Sequence, residues 1–222
     1  MTARLHVDLD ALVANIAQVR ATVSPAELML VVKDDAYGHG LEPVVQTAAA
    51  AGVSWFGAFD VRTGCAVRDA VGDDARIFAW IAASRDDLEA AVAGRIDLGI
   101  GDADLLEELA EAARDAEAPV RVHLKIDTGL HRNGVRPEQW PAFVSRAAVL
   151  EADGVIEVAG VWSHIAEASD SEDDDARALY EWALDEATAA GLRPSMRHLA
   201  ASAASFARPE FRYDMVRVGA FC

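Results

Sequence analysis

Residues 28–59 read LMLVVKDDAYGHGLEPVVQTAAAAGVSWFGAF. The opening apolar run, 28–32, has the length of a strand and is too short for a buried helix. Residues 40–51 have helical composition, with Pro43 in the first turn, where its missing N–H is one that a helix leaves unpaired anyway. A second short run, 55–59, is rich in aromatic residues, which suits a strand. Strand, helix and strand in that order, within about 30 residues, make one parallel β–α–β unit.

The same alternation extends in both directions. Upstream, Asp8 and Asp10 precede Leu12, Ile16, Val19 and Val23, a helical spacing with acidic residues at its start. A helix is expected after 59, to about Ala70, and a third strand over 77–81. Ser84 with Asp87 resembles a capping box, and Gly94 suits the end of that helix. A fourth strand over 97–100 leads to a helix opened by Asp102 and carrying Leu105, Leu106 and Leu109. The fifth strand covers 120–126, and Pro137 begins a helix with Trp140, Phe143 and Val144 on one side. The sixth covers 156–163. Residues 170–190 read as an acidic loop running into a helix. The seventh covers 196–200 and the eighth 215–220. Eight short strands with helices between them predict a parallel sheet with crossover helices, here a (β/α)8 TIM-type barrel forming a single domain over 1–222. An open, doubly wound sheet is the alternative that the pattern permits. The sequence stops just after strand eight, so the helix that would cover that strand is expected to be missing and the chain to be a fragment.

Composition bounds the function. The 222 residues are 52% hydrophobic, enough for a sizeable core. The formal net charge of −17 and pI near 4.6 argue against nucleic acid and anionic membrane as partners, since both need a basic footprint. An anionic ligand would need a locally basic pocket. Cys65 and Cys222 form neither a disulfide framework nor a metal spacing. The start, Met1-Thr2-Ala3-Arg4, lacks the apolar run of a signal peptide, and no stretch is long and apolar enough to span a bilayer, so a cytoplasmic protein is expected.

Chemistry in such a barrel sits where strands end. Strand one runs into Lys33-Asp34-Asp35-Ala36-Tyr37-Gly38-His39-Gly40. A lysine directly after a buried strand is a candidate Schiff-base former, because partial burial favours the neutral amine; the alternative is a lysine snorkelling to the rim. A phosphate-loop reading fails, with too few glycines and no Gly-Lys-Ser/Thr. Strand five ends in Lys125-Ile126-Asp127-Thr128-Gly129-Leu130-His131-Arg132-Asn133-Gly134. Lys125 and Asp127 share a strand face and suggest a rim ion pair. Arg132 lies on the loop beyond, where a forked guanidinium suits a carboxylate or phenolic oxygen; the bland reading is an ordinary turn. Ser163-His164 closes strand six, His198 sits on strand seven before Ser202, and Arg217 precedes Gly219 and Ala220 on strand eight. A buried arginine needs an acceptor. Small residues after a strand let backbone N–H groups approach a phosphate, with Ser202 as a further donor. A metal site from His39, His164 and His198 lacks acidic partners at ligand spacing. The run 170–175 lacks a calcium loop's alternation and central glycine.

Taken together, these segments resemble alanine racemase. The stretch 33–40 resembles the family's cofactor-lysine signature, and 123–134 its second signature. Residues 8–12, Ser163-His164, 198–204 and 214–219 match as well, so the resemblance runs from about Leu5 to Cys222. It implies a barrel that binds pyridoxal 5′-phosphate and interconverts L- and D-alanine, supplying D-alanine for peptidoglycan. It also implies a β-rich C-terminal domain that completes a homodimer. By the resemblance, Lys33 holds the cofactor and moves a proton at the substrate α-carbon. Tyr37, Ser202, Gly219 and Ala220 hold the phosphate, and Arg132 binds the phenolic oxygen and orients substrate. His164 borders the pyridine ring and supports Arg217. Lys125 resembles a lysine that can be carbamylated and then pairs with Arg132. Arg217 would face the pyridine nitrogen. Because arginine only donates, that nitrogen would stay unprotonated, a weaker electron sink that favours quick reprotonation.

The sequence also departs from the family. Ala201 stands where asparagine is common, and His131 where a smaller residue is usual. The tyrosine that serves as second base comes from the partner's C-terminal domain, and a phosphate-binding tyrosine lies beyond strand eight; neither is in these residues. The alternatives are a stand-alone pyridoxal-phosphate-binding barrel acting in cofactor homeostasis, or another pyridoxal-phosphate enzyme, such as a racemase of basic amino acids or a threonine aldolase-like barrel. These would turn on pocket residues such as Trp80 and Trp162.

Overall fold

A strand covered on one side by helices and on the other by its opposite strands has two buried faces, and its side chains must sort by parity. In β1 (Glu27–Val31), Leu28 and Leu30 face the helices while Met29 faces the barrel axis. The same parity sends Trp55, Phe78, Trp162 and Met215 inward and Phe56, Ile77, Val161 and Val216 outward. The computed structural model describes residues 6–220. Met1 to Arg4 and Cys222, both used in the sequence reading, lie outside the described residues.

Eight strands run parallel in the order β7-β6-β5-β4-β3-β2-β1-β8. The others are β2 (Trp55–Asp60), β3 (Arg76–Ile81), β4 (Asp97–Ile100), β5 (Val120–Lys125), β6 (Ile156–Trp162), β7 (Met196–His198) and β8 (Met215–Val218). The two outer strands of that order meet. Asp214 N–H donates to Arg197 O at 3.1 Å and Arg217 N–H to Ala200 O at 3.2 Å. The Arg197 guanidinium grips Asp214 at 2.7 and 2.9 Å. The sheet is therefore a nearly closed barrel of the (β/α)8 TIM type, not an open doubly wound sheet. Strands seven and eight are shorter than the sequence suggests, because beyond Val218 the N–H groups of Gly219 and Ala220 turn to Ser202 Oγ. Strand five stops at Lys125, and Ile126 bridges to Val135, folding the following loop back on itself.

Helix ends follow local chemistry. Asp8 caps Leu9–Val23 through the N–H groups of Asp10 and Ala11, and Asp102 caps Ala103–Ala112 in the same way. Ser84 caps Arg85–Ala93 through Asp87 N–H, as its spacing predicts. The acidic stretch at 170 is a correction. It is helical from its first residue, in Asp170–Ala189, because Ser169 caps it and its carboxylates sit at the positive end of the helix dipole. Among the described residues no helix is long and apolar enough to cross a membrane.

Candidate active site

The carboxyl ends of the strands surround a cavity of about 430 Å³ lined by Lys33, Lys125, Arg132 and Arg217, with no carboxylate in its wall. Tyr37, Trp80, Trp162, His164, Ser202 and Gly219 also line it. Seven of the eight cofactor and catalytic candidates thus converge on one cavity, with Lys125 beside them. Ala220, the eighth, adjoins through the bond of its N–H to Ser202. Trp80 and Trp162, which the sequence could not place, are both in the wall.

The segment that carries Lys33 has an unusual backbone. Asp34, Asp35, Ala36 and Tyr37 have φ of 54, 56, 53 and 57°, so Lys33–Gly38 is one left-handed helical turn made without glycine at those four positions. Each costs about 1–2 kcal/mol against the right-handed form. The turn is held by Ala36 N–H to Val32 O (3.1 Å), Gly40 N–H to Asp35 O (3.0 Å) and Leu41 N–H to Asp35 Oδ1 (2.7 Å). It swings Tyr37 over strand eight, so that a Cβ at position 219 would overlap the Tyr37 hydroxyl. Glycine at 219 therefore lets the Tyr37 hydroxyl approach the backbone, and a side chain there would push the Tyr37 ring aside.

Next to it, Ser202 Oγ accepts from Gly219 N–H at 3.2 Å and Ala220 N–H at 3.3 Å. Ala201 caps Ser202–Ala207 with no side-chain bond, since alanine has no acceptor to offer. Glu167 Oε1 accepts from the neighbouring Ala204 N–H at 2.9 Å and serves one donor of this uncapped helix start.

Lys125 is buried and stands 4.4 Å from the centre of the Trp162 ring. Burial, then the charges of Arg217 and Arg132, push its pKa down to about 8, against a smaller opposing pull from Asp127. The expected ion pair with Asp127 does not form. Asp127 instead accepts from Gly129 N–H (3.1 Å), His131 N–H (3.0 Å) and His131 Nδ1 (2.9 Å). His131 has φ 54°, so the bulky residue at this turn is held in a left-handed conformation by Asp127. Arg132 has no hydrogen-bond partner among the described residues and lines the cavity.

Burial, followed by the charges of Arg217, Arg132, Lys125 and Lys33, pushes His164 down to about 3, so it is neutral at physiological pH. The acceptor that Arg217 needs is not His164. Its Nη1 donates to His198 Nδ1 (2.9 Å) and His198 O (3.1 Å), and its Nη2 to Ser163 O (2.7 Å) and Leu199 O (3.0 Å). All four terminal N–H groups are engaged, which leaves Nε–H as the donor for a ligand. His39, His164 and His198 lie in three places: the left-handed turn's end, the cavity wall and the barrel interior.

A family model described as "Alanine racemase, N-terminal domain" matches residues 7–222. The chain belongs to the alanine racemase family. An alanine racemase from Thermobifida fusca is 41% identical over 98% of this chain, which spans 59% of that protein's length. The solved alanine racemase of Streptomyces coelicolor superposes with a TM-score of 0.92 at 38% identity, over 96% of this chain and 57% of that one. A more distant barrel, the Bartonella henselae alanine racemase solved with covalently bound pyridoxal phosphate, shares the fold at TM-score 0.85 and 21% identity, over 96% of this chain and 58% of that one. The sequence reading missed the left-handed turn, Glu167, and the part played by His198. The first leaves no composition signal, since none of its four left-handed residues is glycine.

Proposed function

We propose that residues 1–222 are the single cofactor-binding barrel domain of a pyridoxal-phosphate-dependent enzyme that interconverts L- and D-alanine. The observation that carries this is a cavity holding four cations and no carboxylate, on a chain whose net charge is −17. Such a site suits a ligand bearing phosphate, phenolate and carboxylate together.

The residues present fit the cofactor. Ser202, the Gly219 and Ala220 N–H groups and Tyr37 would hold its phosphate, and Arg217 Nε–H its ring nitrogen. Arg132 would face its phenolic oxygen and the substrate carboxylate. When bound, pyridoxal phosphate supplies an electron sink that acidifies the α-hydrogen of an amino acid. Lys33 would hold the group by its amine and, when free of it, would move a proton on one face of the α-carbon. Neutral His164 borders the ring without competing for the anionic groups. Trp80 and Trp162 present flat apolar walls that exclude water. Arg217, which can only donate, would leave a ring nitrogen placed against it without a proton. Lys125 reacts with carbon dioxide as the neutral amine, forming an N–C bond and releasing a proton, and the carbamate pairs with Arg132. A second base on the opposite face, contributed by a partner subunit's C-terminal domain, completes racemisation in a cytoplasmic homodimer that feeds peptidoglycan synthesis.

The test is α-proton exchange in heavy water, followed by NMR with added pyridoxal phosphate and each alanine enantiomer separately. Exchange of at least one enantiomer, abolished in Lys33→Ala, is expected. Cofactor binding with no exchange would replace this reading with a cofactor-binding module. Exchange of a basic amino acid in preference to alanine would move the substrate.

A further inference from the structure

The barrel axis contains a file of polar side chains that, beyond Arg217, the reaction outlined above does not use. From Arg217 at the cavity floor it runs through His198 to His123, whose Nδ1 lies 2.8 Å from His198 Nε2, and on to Asp97, whose Oδ2 lies 3.4 Å from His123 Nε2. Asp97 is held in turn by Arg76 at 2.8 Å and Arg121 at 2.7 Å, at the amino ends of the strands. Asp97, His123 and His198 are all fully buried. Phe78 lies 4.8 Å from the His123 ring and 5.5 Å from that of His198, and Trp162 stacks on His198. Those rings keep the file dry, and in a dry interior each link is strong and each missing link costly.

Space for the file is built in. The pairing of β5 with β6 slips by one residue between Val122 and His123, which sets His123 opposite Gly160. A Cβ at position 160 would overlap the His123 ring. The glycine and the slip together admit the imidazole.

The hydrogen-bond direction is set from both ends. Arginine can only donate, so His198 Nδ1 must accept, and His198 carries its proton on Nε2. His123 Nδ1 must then accept that proton's bond, and His123 carries its own on Nε2. A carboxylate can only accept, so Asp97 receives it. Every N–H in the file points from Arg217 toward Asp97. With an amide at position 97 the last link can reverse, which would allow both imidazoles to flip and set His198 Nδ1–H against an arginine donor.

We propose that Asp97 and His123 are positioning residues for the reaction at the cavity. Acting through His198, they lock the tautomer that holds Arg217 with its Nε–H directed at the ligand. The proposal rests on the racemase reading for its consequence, while the tautomers themselves are a property of the barrel without cofactor or substrate. A failure of one is therefore distinguishable from a failure of the other.

The experiment is long-range ¹H–¹⁵N correlation on the full chain with ¹⁵N-labelled histidine. Cofactor-free protein is expected to show His123 and His198 each as the Nε2–H tautomer. Loading with pyridoxal phosphate is expected to move the ¹⁵N signals of both rings, His123 included, although it does not line the cavity. An Nδ1–H tautomer or an imidazolium at either position would overturn the proposal, as would a His123 signal unmoved by loading. In Asp97→Asn the tautomers are expected to mix, with kcat falling about tenfold or more while KM changes less than about twofold. Unchanged tautomers and kcat in that variant would make Asp97 a structural ion-pair partner and sink the proposal; if the variant does not fold, the wild-type spectra decide.

Discussion

Lys125 sits among cations in a dry wall, and the consequence for stability can be worked through. Its pKa falls from 10.5 to about 8, chiefly by burial and then by Arg217 and Arg132. A shift of that size corresponds to roughly 3 kcal/mol between the two protonation states. Below pH 8 the amine is protonated in both folded and unfolded chains, and the fold carries the cost of a charge it disfavours. Between pH 8 and 10.5 the folded chain has lost the proton and the unfolded chain has kept it. The unfolded state then binds more protons, so stability rises with pH across that window. Lys125→Met removes this cost. It also removes the amine's contact with the Trp162 face, which contributes up to about 2 kcal/mol. The variant should therefore be more stable than the parent by about 1–2 kcal/mol at pH 7, and the gap should close as pH approaches 10.5. Urea unfolding of both proteins in carbonate-free buffer from pH 7 to 10.5, followed by tryptophan fluorescence, measures the difference. Parallel stability curves across that window would refute the assignment of the shift to Lys125. The same shift leaves about a quarter of the amines neutral at pH 7.5, against about one in a thousand for an unperturbed lysine. Added ¹³C-bicarbonate should therefore give one carbamate signal that Lys125→Met lacks; intact mass showing only unmodified Lys125 under those conditions would count against carbamylation.

Three further outcomes are expected. Gly160→Ala drives a methyl into the His123 ring and should cost about 2–4 kcal/mol through overpacking and a broken buried hydrogen bond, seen as a fall in the urea midpoint; a change under about 0.5 kcal/mol would show that the ring has room to move. Ala201→Asn gives Ser202–Ala207 a side-chain cap that it lacks and should add roughly 0.5–1 kcal/mol, less than a full cap because Glu167 already serves Ala204 N–H. Arg217→Glu places an acceptor where only a donor stood, so the ratio of transamination to racemisation should rise; a side-product ratio equal to the parent's would remove the donor argument.

Much of this protein is written locally. Alternating short apolar runs and helical stretches specify eight parallel strands, because a strand buried on both faces reads as a largely apolar run and several helices announce their start with Asp or Ser, as at Asp8, Ser84 and Asp102. The candidate residues were also legible, since a lysine, an arginine or a serine at a strand's end stands out against apolar neighbours. What the sequence left open depends on distances between segments far apart in the chain. The partner of Arg217 is His198, 19 residues away, and not His164; Asp127 turns to His131 and leaves Lys125 to the face of Trp162. The left-handed turn at 34–37 has no composition signal, since none of its four residues is glycine, although the bonds that hold it are local ones from Ala36, Gly40 and Leu41. The file from Arg217 to Asp97 arises from strand register: a one-residue slip at His123 and the absence of a side chain at Gly160 decide which rings meet. Parity and composition are properties of each strand alone, whereas register is set only when the barrel closes.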